Sequence, residues 1–223
     1  TQLRGKLARL INAPSSDDVA LLKSTSEGLS FIAHGLTWHE GDNIVIPVEE
    51  FPSNRIVWES LRDKGVEVRR VAISGHISPE QALIEAFDNN TRLLSVSSVQ
   101  YASCLRLDLM PLGKECSKRQ VLYCVDAIQS LGALCFDVQA VQADFVVADG
   151  HKWMLGPEGL ALFYCREAIR DQLQLSEFGW HMVEQLGEFD QYDWQPAATA
   201  RRFECGSPNM TAVAALNASL DVL

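Results

Sequence analysis

Residues 143–164 read ADFVVADGHKWMLGPEGLALFY, and their pattern decides the fold. Two apolar runs flank a turn that carries Asp149, His151 and Lys152. Both runs have strand length and lack polar alternation, which predicts short strands covered on both faces. Lysine is seldom fully buried, because an unpaired ammonium group is costly to remove from water. A lysine at the mouth of a buried strand therefore suggests a side chain that forms a covalent bond to a cofactor.

The same alternation of strand and helix extends outward from this stretch. Apolar strand-like segments occupy residues 17–24, 41–47, 66–73, 91–99, 120–126, 144–149 and 159–165. Helical patterns occupy residues 25–36, 53–65, 78–87 and 108–119, with Thr25 or Ser26 as the expected N-cap of the first. This order predicts an α/β fold on a largely parallel sheet. The periodicity fails over residues 187–209, which favours an irregular active-site or interface loop.

Composition excludes several classes of function. The formal net charge is −10 and long basic runs are absent, which argues against nucleic-acid binding. The chain has neither an apolar run of membrane-spanning length nor a signal-peptide pattern, so we expect no membrane insertion and a cytoplasmic location. Its six cysteines form no C-x-x-C pair and match no zinc spacing, which predicts buried, reduced thiols and no metal site.

Two residues at predicted strand ends suggest pyridoxal phosphate chemistry. Asp126 follows the apolar run VLYCV and lies 26 residues before Lys152, with Gln129 one turn later. Pyridoxal phosphate needs a lysine for its Schiff base and an acid to pair its pyridinium nitrogen. The lysine, once displaced, acts as a general base. The alternatives are that Asp126 caps a short helix and that Lys152 is a surface residue in a turn.

The same cofactor needs a phosphate site. Thr25 and Ser26 begin a predicted helix, where free backbone N–H groups and the helix dipole favour an anion. His151 is next to the lysine and offers a further hydrogen bond. The alternative for Thr25 and Ser26 is an ordinary helix cap.

Four motifs in register carry a family resemblance. They are TSEG at residues 25–28, D-x-x-Q at Asp126 and Gln129, GHK at residues 150–152 and GSP at residues 206–208. In these motifs the sequence resembles the class V aminotransferase family of pyridoxal-phosphate enzymes. That family includes cysteine desulfurases and kynureninase-like and isopenicillin-epimerase-like members.

The resemblance implies a role for each matching residue. Lys152 would form the internal aldimine, Asp126 would pair the pyridine nitrogen, and Gln129 would reach the ring hydroxyl. Thr25, Ser26 and His151 would hold the phosphate. Ser207 would reach the phosphate of a neighbouring subunit, which implies a homodimer.

The resemblance also implies a fold and a domain organisation. The expected fold is the fold type I large domain, a mostly parallel seven-stranded sheet between helices in three layers. Residues 1–223 are expected to be this cofactor-binding large domain, cut at both ends and without the C-terminal small domain.

Three positions depart from the desulfurase pattern. Phe51 stands where desulfurases carry a histidine that stacks on the cofactor ring, as in kynureninase-like members, and it lacks an acid–base nitrogen. Asp149 would repel a phosphate unless it points away or bonds neighbouring amides. Arg106 either pairs a substrate carboxylate or anchors to an acidic surface residue.

These observations predict a pyridoxal-phosphate enzyme acting on an amino acid or similar amine, with transamination as the first expectation. A lyase or epimerase of the kynureninase, isopenicillin-epimerase or cysteine-desulfurase type is the alternative. A non-catalytic relative that serves as a binding partner is a further alternative. An unrelated nucleotide-binding domain is disfavoured because the chain lacks G-x-G-x-x-G and G-x-x-x-x-G-K-[ST].

Overall fold

One seven-stranded sheet forms the centre of the molecule. The computed structural model describes residues 2–75, 78–190 and 192–223, so Thr1, His76, Ile77 and Gln191 lie outside the described residues. The strands in chain order are β1 (Val19–Leu22), β2 (Asn43–Pro47), β3 (Glu67–Val71), β4 (Thr91–Ser97), β5 (Leu122–Asp126), β6 (Phe145–Asp149) and β7 (Ala161–Cys165). Their spatial order is β1-β7-β6-β5-β4-β2-β3.

The strand directions confirm the predicted mostly parallel sheet. The pairs β2–β3, β2–β4, β4–β5 and β5–β6 are parallel. Strand β7 runs antiparallel to both of its neighbours, β6 and β1. Strand β1 therefore points the same way as β6, and six strands share one direction. Their carboxyl ends meet at one edge of the sheet, which is where ligands bind in open α/β sheets.

Helices cover both faces of this sheet. The α-helices are α1 (Gln2–Leu10), α2 (Thr25–Gly35), α3 (Ser53–Glu59), α4 (Pro79–Glu85), α5 (Leu109–Arg119), α6 (Val138–Val141), α7 (Glu167–Arg170) and α8 (Met210–Ser219). Strand side chains alternate between two apolar cores. On β5, Tyr123 and Val125 join the core under α1, α5 and α8, whereas Leu122 and Cys124 join the core under α2 and α3. This three-layer arrangement is the predicted fold type I architecture.

Local details correct some of the expectations. The N-cap of α2 is Ser24, whose hydroxyl accepts from the Glu27 amide, and not Thr25 or Ser26. The predicted helix over residues 53–65 ends at Glu59 and continues only as a short 3-10 turn at Arg62–Lys64. Apart from Gln191, the segment 187–209 is irregular as predicted, with one 3-10 turn at Ala200–Phe203.

The cysteines match their prediction only in part. All six thiols are free, and Cys116, Cys124 and Cys165 are buried. Cys104 and Cys135 are exposed, so the prediction of buried thiols is wrong for them, because both lie in loops outside the strands. Among residues 2–75, 78–190 and 192–223, helices long and apolar enough to cross a bilayer are absent.

Candidate active site

The loops at the carboxyl edge of the sheet carry most of the candidate residues. Thr25 follows β1, Phe51 follows β2, and Lys152 follows β6. Asp126 is the last residue of β5. Residues far apart in sequence thus meet at one edge because their strands are neighbours or near neighbours in the sheet.

Asp126 is a buried carboxylate with capacity for a further partner. Its side chain is 3% exposed, and Oδ1 accepts from the Ile128 amide at 3.0 Å. Oδ2 accepts no hydrogen bond from the described residues. Burial raises the pKa of Asp126 from 3.8 to about 7, with a contribution from Glu50, while the Ile128 amide and Lys152 act in the opposite direction. Such a carboxylate is suited to a cationic N–H donor.

Lys152 lies in a turn closed by backbone hydrogen bonds. The Gly150 amide donates to Leu160 O at 2.9 Å, and the Gly156 amide donates back to Gly150 O at 2.8 Å. The turn after β5 packs tightly against the Lys152 turn: a side chain on Gly132 would clash, because its Cβ would lie only 2.1 Å from Trp153 O. Gly132 also has a φ of +96°, which glycine adopts without strain. The turn that follows Asp126 and the turn that carries Lys152 are therefore in direct contact.

Two aromatic rings form a wall beside the lysine. The Lys152 Nζ lies 5.9 Å from the centroid of the Phe51 ring. Phe51 meets Tyr101 edge to face, with the centroids 5.2 Å apart. Phe51 is 46% exposed, so one surface of this apolar ring is available to a ligand. A planar aromatic ligand between Phe51 and the sheet edge would gain stacking contacts.

The beginning of α2 has hydrogen-bond donors suited to an anion at the same edge. The Thr25 amide donates to Asp149 Oδ2 and the Glu27 amide to Ser24 Oγ, which leaves the Ser26 amide without an acceptor among the described residues. Thr25 Oγ1 accepts from the Asp149 amide and so keeps its proton free to donate. Asp149 therefore bonds a neighbouring amide, which is one of the two arrangements expected to make it compatible with a phosphate.

The remaining candidates are placed less decisively. Gln129 is half-buried and His151 is exposed, and neither makes a side-chain hydrogen bond to the described residues. Ser207 is exposed and lines a separate groove of about 420 Å³ with Lys23 and Glu27. Arg106 is exposed and makes no ion pair within the described part of the chain, which leaves its role open.

Sequence reasoning missed a buried carboxylate beside this site. Glu50 is 5% exposed and accepts hydrogen bonds from Asn54, Ser97 and Gln100. The available signal was its position between a buried strand and Phe51. The neighbouring Glu49 concealed that signal, because an acidic pair ordinarily marks a solvated loop.

The residues present fit pyridoxal phosphate. Asp126 offers an unpartnered oxygen for a pyridinium N–H, and Phe51 offers a face for the ring. The Ser26 amide and the Thr25 hydroxyl offer donors to a phosphate. Lys152 offers an amine for the aldehyde. Groups of three or more His, Cys, Asp or Glu side chains that would suit a metal ion do not occur among the described residues.

Comparisons with known proteins agree with this fit. The family model described as aminotransferase class V matches residues 1–223. A probable cysteine desulfurase of Methanothermobacter thermautotrophicus is 35% identical over the whole chain, which covers 55% of that protein. The cysteine desulfurase of Salmonella typhimurium is 30% identical over 98% of the chain, which covers 54% of that protein. The chain thus spans about half the length of these curated relatives.

Solved structures show the same fold. The apo structure of a cysteine desulfurase from Thermococcus onnurineus superposes with a TM-score of 0.87 at 27% identity, over 99% of this chain and 55% of that one. The cystine C-S lyase C-DES, solved with its product cysteine persulfide, superposes with a TM-score of 0.90 at 24% identity, over 99% of this chain and 59% of that one. A related C-DES structure carries glycine covalently linked to its pyridoxal phosphate.

Proposed function

This chain belongs to the class V aminotransferase family, whose cofactor is pyridoxal phosphate, and we propose that it is the cofactor-binding part of an enzyme that acts on an amino acid through Lys152. One observation supports this above all others. The Lys152 amine lies 5.9 Å from the centroid of the exposed Phe51 ring, at the same carboxyl edge of the sheet where the buried Asp126 ends β5. This placement supports a cofactor ring held between the lysine amine and the carboxylate.

Each residue then has a definite task. When bound, pyridoxal phosphate supplies an aldehyde that condenses with amines and a ring that withdraws electrons from the substrate Cα. Asp126 holds the proton on the ring nitrogen, which keeps the ring electron-poor. Lys152 Nζ takes up and returns a proton at the substrate Cα. Phe51 and Tyr101 would line one side of the ring, and Thr25 and Ser26 would bind the phosphate.

Carbon–sulfur cleavage of a cysteine-type amino acid is the reaction that the relatives favour. Both curated relatives are named as cysteine desulfurases, proven or probable, and C-DES is named as a cystine lyase. The match to the first of them spans the whole chain, and the match to the second spans 98% of it. The substrate groups that would select cysteine remain part of the proposal, since the chain covers only about half of each relative.

Transamination is the second candidate, and one residue favours it. Phe51 cannot exchange a proton with a leaving group, whereas the histidine expected at this position in desulfurases can. Proton transfer at Cα by Lys152 suffices for transamination. The two candidates differ in product. C–S cleavage of cysteine yields alanine with its sulfur passed to an acceptor thiol as a persulfide, or a keto acid with ammonia and sulfide, whereas transamination yields a keto acid with aminated cofactor.

A homodimer is the assembly we propose, with a second copy of this chain on an exposed aromatic surface. That surface comprises Phe178, Trp180, Phe189 and Trp194, which are each at least 46% exposed and line one cavity. It is continuous with the Ser207 segment, because a Cβ on Gly179 would lie 2.2 Å from Cys205 O. Large exposed apolar patches mark interaction sites. A cytoplasmic location stays a prediction.

The test uses the protein with all of the sequence that its gene encodes. We expect a visible absorbance band on addition of pyridoxal phosphate, its loss on borohydride reduction, and cofactor mass on the Lys152 peptide. Incubation with a panel of amino acids that includes cysteine and cystine then separates sulfide or persulfide from keto acid with aminated cofactor. A colourless protein that ignores the cofactor would contradict the proposal and favour the non-catalytic alternative. Sedimentation velocity measures the assembly.

A further inference from the structure

Glu50 is a buried acid for which the proposed chemistry has no direct use. It lies three residues beyond the end of β2 and immediately before Phe51. Its Oε1 accepts from the Ser97 amide at 2.6 Å and from Gln100 Nε2 at 2.9 Å. Its Oε2 accepts from the Ser97 hydroxyl at 2.5 Å and from Asn54 Nδ2 at 3.0 Å. Both oxygens are thus occupied by donors, which is the arrangement of an ionised carboxylate.

The donors are themselves fixed in orientation. Asn54 Oδ1 accepts from Trp58 Nε1 at 3.0 Å and from the Ser95 hydroxyl at 2.6 Å, so the Asn54 amide must direct its NH₂ group at Glu50. Asn54 and Ser95 are fully buried. Burial raises the pKa of Glu50, and the bonds from Ser97, Gln100 and Asn54 oppose that effect. An interior network with its donors satisfied in this way is rigid.

This network joins the two segments that carry the aromatic wall. Asn54 belongs to α3, which follows Phe51, whereas Ser97 and Gln100 precede Tyr101. Glu50, the residue before Phe51, is thus hydrogen-bonded to the end of β4 and to the loop that leads into Tyr101. Phe51 and Tyr101, whose segments the Glu50 network joins, are in edge-to-face contact.

Glu50 also determines which atom Gln100 presents elsewhere. A carboxylate accepts only from the Nε2 side of the Gln100 amide, so Gln100 Oε1 points away from Glu50. Gln100 is 1% exposed, and Oε1 has no partner among the described residues. The orientation of this buried acceptor therefore depends on Glu50.

We propose that Glu50 is a positioning residue, whose carboxylate holds Phe51 and Tyr101 in contact and so fixes the face against which the cofactor ring packs. This inference rests on the proposed pyridoxal phosphate function and assigns it an additional residue. Glu50 would touch neither Lys152 nor the cofactor. It acts through the two rings.

Glu49 provides a matched control. It is the adjacent acid, and its carboxylate also accepts backbone hydrogen bonds, from the Ile73 and Ser74 amides. Those partners follow β3, on the far side from Tyr101. Glu49→Gln therefore removes a charge and weakens similar bonds without disturbing the link between the rings.

The experiment compares Glu50→Gln, Glu50→Asp and Glu49→Gln in the protein with its full encoded sequence. The readouts are the Kd for pyridoxal phosphate, the induced circular dichroism of the bound cofactor and the thermal unfolding of the apoprotein. We expect Glu50→Gln and Glu50→Asp to raise the Kd by about tenfold, which corresponds to roughly one lost hydrogen-bonded contact, and to reduce the induced dichroism. Glu49→Gln should stay within about twofold of wild type.

Further variants separate positioning from charge and from misfolding. Glu50→Asp keeps the charge and shortens the side chain, so a wild-type Kd and dichroism in this variant would overturn the proposal. In a Phe51→Leu background, Glu50→Gln should add little to the Kd, because both changes act on one ring wall. If Glu50→Gln does not fold, Ser97→Ala removes one donor and should still raise the Kd about threefold, and no change there overturns the inference. A wild-type protein that does not bind the cofactor contradicts the proposed function instead.

Discussion

Thr25 and Asp149 exchange two hydrogen bonds of 3.1 Å although 124 residues separate them. The Thr25 amide donates to Asp149 Oδ2, and the Asp149 amide donates to Thr25 Oγ1. The pair joins the first turn of α2 to the end of β6, two strands away in the sheet. It thereby sets the distance between the anion site at α2 and the turn that carries Lys152.

Removing one half of this pair should weaken both stability and cofactor binding. Thr25→Val keeps the shape of the buried side chain but leaves the Asp149 amide without its acceptor. We expect a loss of about 1–3 kcal/mol in the free energy of unfolding, measured by urea denaturation of the apoprotein. We also expect weaker binding of pyridoxal phosphate, because the free hydroxyl proton of Thr25 is lost as well.

Two variants control for this effect. Thr25→Ser retains the hydroxyl and should recover most of the cofactor affinity. Ser30→Ala lies on the same helix, removes a hydroxyl that bonds only the Ser26 carbonyl, and should change stability by less than about 0.5 kcal/mol. Equal effects of Thr25→Val and Ser30→Ala would contradict the role assigned to the pair.

Lys152 should be the only lysine whose replacement prevents covalent trapping of the cofactor. In Lys152→Arg the positive charge remains, but a guanidinium does not condense with the aldehyde. We expect borohydride reduction to leave no cofactor on the protein, as measured by intact mass, and turnover to fall about a thousandfold or more. Lys118→Arg changes a lysine that is 75% exposed on α5 and should behave as wild type. Trapping on another peptide in wild type would refute the assignment.

Much of the fold could be predicted from sequence because most of the strands are apolar on both faces, although the edge strand β3 is partly exposed. All seven predicted strands exist, and their ends agree with the prediction to within two residues. Helix boundaries are less certain from sequence, since Ser24, Thr25 and Ser26 are all good caps. In the structure Ser24 caps α2, and the Thr25 amide bonds Asp149 instead. The antiparallel direction of β7 was likewise absent from the local pattern, because burial on both faces gives the same residue types in either direction.

The candidate site divides in the same way. Asp126 and Lys152 are predicted from their positions at strand ends and Phe51 from the family resemblance, and the sheet brings all three to one edge. The Glu50 network was not found, because its bonds to Ser97 and Gln100 cross 47 and 50 residues and arise only when β2 and β4 pair. The role of Ser207 stays a prediction, since it depends on a second copy of the chain.

The contribution of Asp126 to the stability of the apoprotein should decrease as pH rises from about 4 to about 7. Asp126 keeps its proton in the folded chain up to about pH 7, whereas an unfolded aspartate loses it near 3.8. Between these values the folded state binds more protons, so the free energy of unfolding falls with increasing pH. At about 1.4 kcal/mol per pKa unit, the contribution of Asp126 has an upper bound on the order of 4 kcal/mol.

Asp126→Asn isolates this contribution. The amide has no charge to bury, so its stability curve should be flatter than that of wild type between pH 4 and about 7. The groups that act on this carboxyl, Glu50, Lys152 and Asp149, remain in both proteins. Parallel curves from urea denaturation at several pH values would contradict the assignment. The variant should also bind pyridoxal phosphate more weakly, because an amide does not hold a charged N–H as a carboxylate does.

Gly28, the last residue of the TSEG motif, should be replaceable only at a cost to the site. A Cβ at this position would lie 2.8 Å from Val147 Cγ1, because α2 packs directly on β6. We expect Gly28→Ala to push α2 away from the sheet. This shift would stretch the Thr25–Asp149 hydrogen bonds and displace the free Ser26 amide. We expect a loss of about 1–3 kcal/mol in stability and weaker cofactor binding.

Gly5→Ala in α1, where the atom nearest to the new Cβ would be Arg9 Nη1 at 3.7 Å, should instead stabilise the protein by about 0.5–1 kcal/mol and leave cofactor binding unchanged. Urea denaturation and cofactor titration of the two variants measure both quantities, and similar behaviour of Gly28→Ala and Gly5→Ala would show that close packing of α2 does not set the anion site.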